Sequence, residues 1–107
     1  MKRKYVVLFL FSIMLLTGCA NIASMRASVQ LKSAKKYLLS EDYEKAIVRL
    51  NKAIKIEPKN VESYILLAEV YQKKDMQDKV EDTLDKAREI ENLSDRDIAK
   101  IDALDYK

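Results

Sequence analysis

The stretch from Glu44 to Pro58, EKAIVRLNKAIKIEP, decides the fold, because a displaced copy of it stands thirty-four residues further on as Asp78 to Asn92, DKVEDTLDKAREIEN. Lys45 falls on Lys79, Leu50 on Leu84, Lys52 on Lys86, Ala53 on Ala87, Ile56 on Ile90 and Glu57 on Glu91. Upstream, the same shift lays Ala34 on Ala68 and Tyr37 on Tyr71, with Leu31 against Ile65 and Ala46 against Val80 as conservative pairs. Self-similarity at a fixed period of this size marks a repeat architecture, in which each unit is one supersecondary element that cannot bury its apolar face alone.

Inside each unit the apolar residues recur three and four apart, as Ala46, Ile47, Leu50, Ala53, Ile54 and again as Val80, Leu84, Ala87, Ile90. That is helical rather than strand spacing. Ser40-Glu41-Asp42 breaks the first unit and Lys74-Asp75 the second, while Pro58-Lys59-Asn60 divides the two units. Pro58 stops the helix before it, since the residue preceding a proline is pushed out of the α region. Each unit therefore reads as a pair of helices, residues 26–59 and 60–93.

The chain has 107 residues, 49% of them hydrophobic and 35% charged, with one Gly and one Pro. This composition suits a single, largely helical unit and is too short for two independent domains. His is absent and Cys occurs once, which removes a His general base, a Cys-His nucleophile pair and every Cys/His metal cluster. Glu41, Asp42 and Glu44 gather at a helix start, where the helix dipole alone favours acids. Neither an enzyme nor a cofactor or metal is expected. The net charge of +3 comes from Lys2, Arg3 and Lys4; from position 19 onward 17 bases balance 17 acids. Nucleic acid is excluded as a partner on that ground, because phosphates demand clustered Lys and Arg.

Lys2-Arg3-Lys4-Tyr5 and the apolar run Val6 to Leu16 have the order of a basic n-region and an h-region. Eleven residues extend only about 17 Å as a helix, short of a hydrocarbon core of roughly 30 Å, so a permanent transmembrane helix is the weaker reading. The run ends in Leu16-Thr17-Gly18-Cys19, which resembles the lipobox of bacterial lipoproteins. The resemblance implies a signal peptide over 1–18, cleavage between Gly18 and Cys19, acylation of the Cys19 thiol, and a lipid-anchored tether over 19–25. It places the chain in the cell envelope, at the outer membrane if the cell is Gram-negative.

From about Ala27 to Asn92 the chain resembles the tetratricopeptide repeat. The first helix of that repeat carries a small residue and, three later, a Tyr, met by Ala34 with Tyr37 and by Ala68 with Tyr71. The second carries a small residue, a large apolar one, Ala and Pro, met by Ala46, Leu50, Ala53 and Pro58, and by Val80, Leu84 and Ala87. Gln30, Ser33 and Asn92 depart from the pattern. The implied fold is all-α: a short right-handed α-solenoid of two helical hairpins. Two hairpins leave open ends, and Ser94-Asp95-Arg96-Asp97 followed by Ile98, Ile101 and Leu104 predicts a capping helix over 95–105, within a final segment 94–107.

The resemblance further implies a concave groove lined by first helices, and hence Leu31, Lys35, Leu38, Ile65, Glu69 and Gln72 as residues facing a protein or peptide partner. Aliphatic residues at such spacing are as readily core, and Leu31, Leu38 and Ile65 carry both readings. The paired Lys and Asn with which a subclass grips a C-terminal carboxylate are missing, Leu31, Lys35 and Leu66 standing in those places. Charge is split: residues 26–59 carry 9 bases and 4 acids, residues 60–107 carry 8 bases and 13 acids. The function expected is that of a lipid-anchored adaptor, assembly factor or pilotin-like chaperone. The alternative is a structural envelope lipoprotein that self-associates, as a homodimer or larger, through its open helical faces.

Overall fold

The computed structural model of the chain describes the backbone of residues 2–105, and the side chains of residues 6, 7 and 22–105. Five helices follow in order: α1 Lys2–Leu39, α2 Tyr43–Ile56, α3 Val61–Lys73, α4 Gln77–Arg88 and α5 Asp95–Asp105. No strand occurs among the described residues. Helices α1 and α2 pack as one hairpin, α3 and α4 as a second stacked on it through α2 and α3, and α5 lies on α4 and α3. The architecture is a short all-α solenoid of two hairpins with a capping helix.

The two hairpin turns are copies of one another. Glu41 and Asp75 stand in the left-handed region, φ 59 and 58. The amide of the next residue reaches back five positions in each, Asp42 to the Tyr37 carbonyl at 2.8 Å and Met76 to the Tyr71 carbonyl at 2.9 Å. This is the Schellman closure, which satisfies carbonyls that a helix end otherwise orphans. Asp42 then caps α2 by accepting from the Lys45 amide, and Asn60 caps α3 by accepting from the Glu62 amide at 3.1 Å. Between the hairpins, the Tyr64 hydroxyl donates to the Pro58 carbonyl at 2.7 Å and ties the turn to α3.

Small residues carry the stacking. Ala34, Ala46, Ala53, Ala68, Val80 and Ala87 are wholly buried, as are Leu50 and Leu84 between them. Small side chains let helix axes approach to about 8 Å, which larger ones would prevent. One core cluster joins Leu31, Ala34, Ala46, Leu50 and Ala53 to Leu67 and Val70; the second joins Tyr64, Ile65 and Ala68 to Val80, Leu84, Ala87 and Ile101. Gln30, out of place for an aromatic, accepts instead from Arg49 Nη1 at 3.2 Å and pins α1 to α2 by a polar contact.

Helix α1 starts upstream of the first repeat, so the backbone of residues 19–25, expected as a tether, continues the helix. The side chains of Leu16, Thr17, Gly18 and Cys19 lie outside the described residues. No described helix is long and apolar enough to cross a membrane.

Candidate functional site

The first helices, α1 and α3, carry the six residues expected to face a partner, and the fold divides them. Leu31 and Ile65 belong to the core, 6% and 5% exposed, in different clusters. Leu38 is half-buried against the first cluster. Of the two readings these side chains carried, Leu31 and Ile65 take that of core residues, while Leu38 keeps part of its surface open. Leu31 fills the space beside Ala34 and Leu50, and Ile65 packs in the cluster that α5 closes with Ile101. Stacking supplies the burial that helical spacing on a single element cannot distinguish from an open apolar groove.

The polar members differ in access, Lys35 being exposed and Glu69 and Gln72 half-buried. Lys35 donates to Glu62 Oε1 at 2.7 Å, an exposed pair that links α1 to α3 and borders the face. Glu69 is half-buried one to two turns further along α3, and burial pushes its carboxyl above the ordinary glutamate value while Lys100 and Lys73 pull it partly back. Gln72 follows, with a buried Nε2 that has no hydrogen-bond partner. A carboxylate held at a cost in desolvation gains when a partner's polar atoms reach it, whereas the enclosed Gln72 amide nitrogen is out of reach of a docked chain. Glu62, which the sequence reading left out, belongs with them; it follows the cap Asn60 and shares the face of Lys35 only because α1 and α3 lie side by side.

A second concavity, a cleft of about 270 Å³, opens between α2, α3 and α4, lined by Asn51, Ile54, Tyr64, Tyr71, Lys79 and Lys86 among others. Tyr64 and Tyr71 are separated from Ile65, Glu69 and Gln72 by about a third of a turn of α3, so this cleft opens on an adjoining flank of the helix rather than on the groove itself. Burial, and secondarily Glu89, holds the Tyr64 phenol above the ordinary tyrosine value. Lys45 and Lys79 lie over the rings of Tyr37 and Tyr71, 5.6 and 5.4 Å from the centroids. Among the described residues no three His, Cys, Asp or Glu side chains gather where they could hold a metal ion.

Stacked helix pairs with small residues at their crossings and a polar face along the first helices define the class: a short helical-repeat module. The comparison with known families agrees. A family model described as TPR repeat matches residues 34–75, the segment that runs from Ala34 through α2 and α3 to the second turn. That repeat is typically a protein-interaction module. No curated protein matches the chain.

Proposed function

We propose that the chain is a lipid-anchored adaptor or assembly factor of a bacterial cell envelope, joined to the membrane through Cys19 and holding a segment of a protein partner along α1 and α3. The observation that carries the reading is the polar row formed by the Lys35–Glu62 pair, Glu69 and Gln72 on stacked repeat helices. The anchor is supported by the Leu16-Thr17-Gly18-Cys19 motif at the end of an apolar run. An amphipathic helix or an extended segment fits a face of this kind, its apolar side chains resting beside Leu38 and its polar atoms meeting Lys35 and Glu69.

Two readouts test the proposal on the full chain expressed in bacteria. An alkyne-tagged fatty acid is expected to label the wild type and not Cys19→Ser, and the variant is expected to leave the membrane fraction; labelling of both would defeat the anchor. A partner co-purified from solubilised membranes is expected to be lost from Lys35→Glu with Gln72→Ala, two changes that leave the core intact. Equal recovery from wild type and variant would defeat the groove.

The charge split favours a second reading, in which the basic first half of one copy meets the acidic second half of another. An elution volume that shifts with protein concentration and returns to the monomer's in high salt would support that reading over the first.

A further inference from the structure

We infer that the outward face of α1 lies along the anionic surface of the bilayer, so that the repeats are held in one orientation beside the membrane rather than swinging from it. The inference rests on the proposed anchoring for its membrane, and on described residues for the face itself.

Ile22, Met25 and Val29 are 58%, 69% and 62% exposed, an uncommon state for three aliphatic side chains in succession. They stand three and four positions apart, and Lys32 and Lys36 continue the same line, both exposed. The line faces directly away from Ala27, Leu31 and Ala34, which pack into the core. It runs about 21 Å along the helix at 1.5 Å per residue. Arg26 flanks it, also exposed.

Charge selects the occupant. Residues 19–40, which remain after the proposed cleavage before Cys19, contain four bases and no acid, Glu41 being the first, whereas residues 41–107 carry 13 bases and 17 acids. An apolar stripe whose charged neighbours are all Arg or Lys is the pattern of a helix seated at the headgroup level of an anionic membrane. The aliphatic residues enter the acyl boundary while Lys32 and Lys36 remain among the phosphates. The acidic remainder of the molecule is repelled from the same surface, which turns α5 outward. Position agrees with charge, since the stripe begins three residues after Cys19 on the same unbroken helix.

The test uses the full chain in phosphatidylcholine vesicles with or without phosphatidylglycerol. A fluorescent amino acid replaces Met25, Val29 or, as a reference on α2, the exposed Val48, and lipids with brominated acyl chains serve as quencher. Quenching at 25 and 29 is expected to exceed that at 48 several-fold, and Lys32→Glu with Lys36→Glu is expected to weaken it by about five-fold or more per base reversed in phosphatidylglycerol vesicles alone. Equal quenching at the three positions overturns the inference. So does a change at 25 and 29 that follows protein concentration without lipid, the signature of a second copy or another protein on this face. Repeating the measurement with Cys19→Ser separates the two proposals. Quenching that persists there, with no acyl label on the wild type, leaves the surface standing without the anchor; an acylated wild type unquenched at 25 and 29 leaves the anchor standing without the surface.

Discussion

Lys45 and Lys79 repeat with the thirty-four-residue period although neither is buried, and the reason is the Tyr ring each covers. An exposed cation over an aromatic face contributes about 0.5–1 kcal/mol. The left-handed residues are a second case. Glu41, Asp75 and Asn92 have φ near 60°, where a Cβ is crowded and Asn and Asp are tolerated better than Glu. Glu41→Gly is therefore expected to stabilise the fold by about 1 kcal/mol and Asp75→Gly by less, read from the midpoints of urea unfolding. Glu69 has a pH-dependent signature. Its folded value is raised, so the stability it permits is fully present below the unfolded glutamate value and is lost as pH rises through the folded one. Glu69→Gln should accordingly raise the urea midpoint at neutral pH, with the gain vanishing in acid; a gain of constant size would rule out the desolvated carboxylate. At this scale the sequence showed which residues recur but not why, because Tyr37 and Lys45 meet only once the turn at Glu41 has folded α2 back on α1.

Helix α5 shows how much an element can be read in advance. Ser94 accepts from the Asp97 amide at 3.1 Å and Asp97 Oδ2 accepts from the Ser94 amide at 3.4 Å, the reciprocal cap that a Ser three before an acid predicts. Less legible is that α5 keeps the repeat's register. Asp95–Asp105 stands thirty-four residues after Val61–Tyr71, so that Ile98 takes the place of Tyr64 and Ile101 that of Leu67. Asp102 falls where Ala68 is buried in the second unit, and it stays exposed, 3.8 Å from Arg88. A charge thus stands at the position where a small buried residue meets the second helix in the two hairpins. Arg88 also meets Asp105 at 2.7 Å, but as an exposed group it is worth under about 1 kcal/mol. Ile101, almost wholly buried, is the anchor. Ile101→Ala is expected to cost about 2–5 kcal/mol and to raise amide exchange across α4 and α5, whereas Ser94→Ala costs about 1 kcal/mol. Equal losses from the two would contradict the packing of α5 on the second hairpin.

For the whole molecule, the hairpins and their order were legible because a thirty-four-residue repeat of small and large apolar residues leaves little freedom in how the units stack. The groove was legible only in part. Lys35, Glu69 and Gln72 could be placed on exposed or half-buried positions of first helices, while the burial of Leu31 and Ile65 depends on neighbours that no single helix encodes. What remains accessible is a row of polar groups between a basic first half and an acidic second half, a face suited to a polypeptide with its own polar anchors. The partner is proposed to lie on this face and not in the cleft between α2 and α4. Photoreactive residues placed at Lys35, Gln72, Asn51 or Lys86 of the full chain in living cells distinguish the two surfaces. One and the same protein is expected to be crosslinked from positions 35 and 72 and none from 51 and 86; capture from 51 and 86 with none from 35 and 72 would place the partner in the cleft instead.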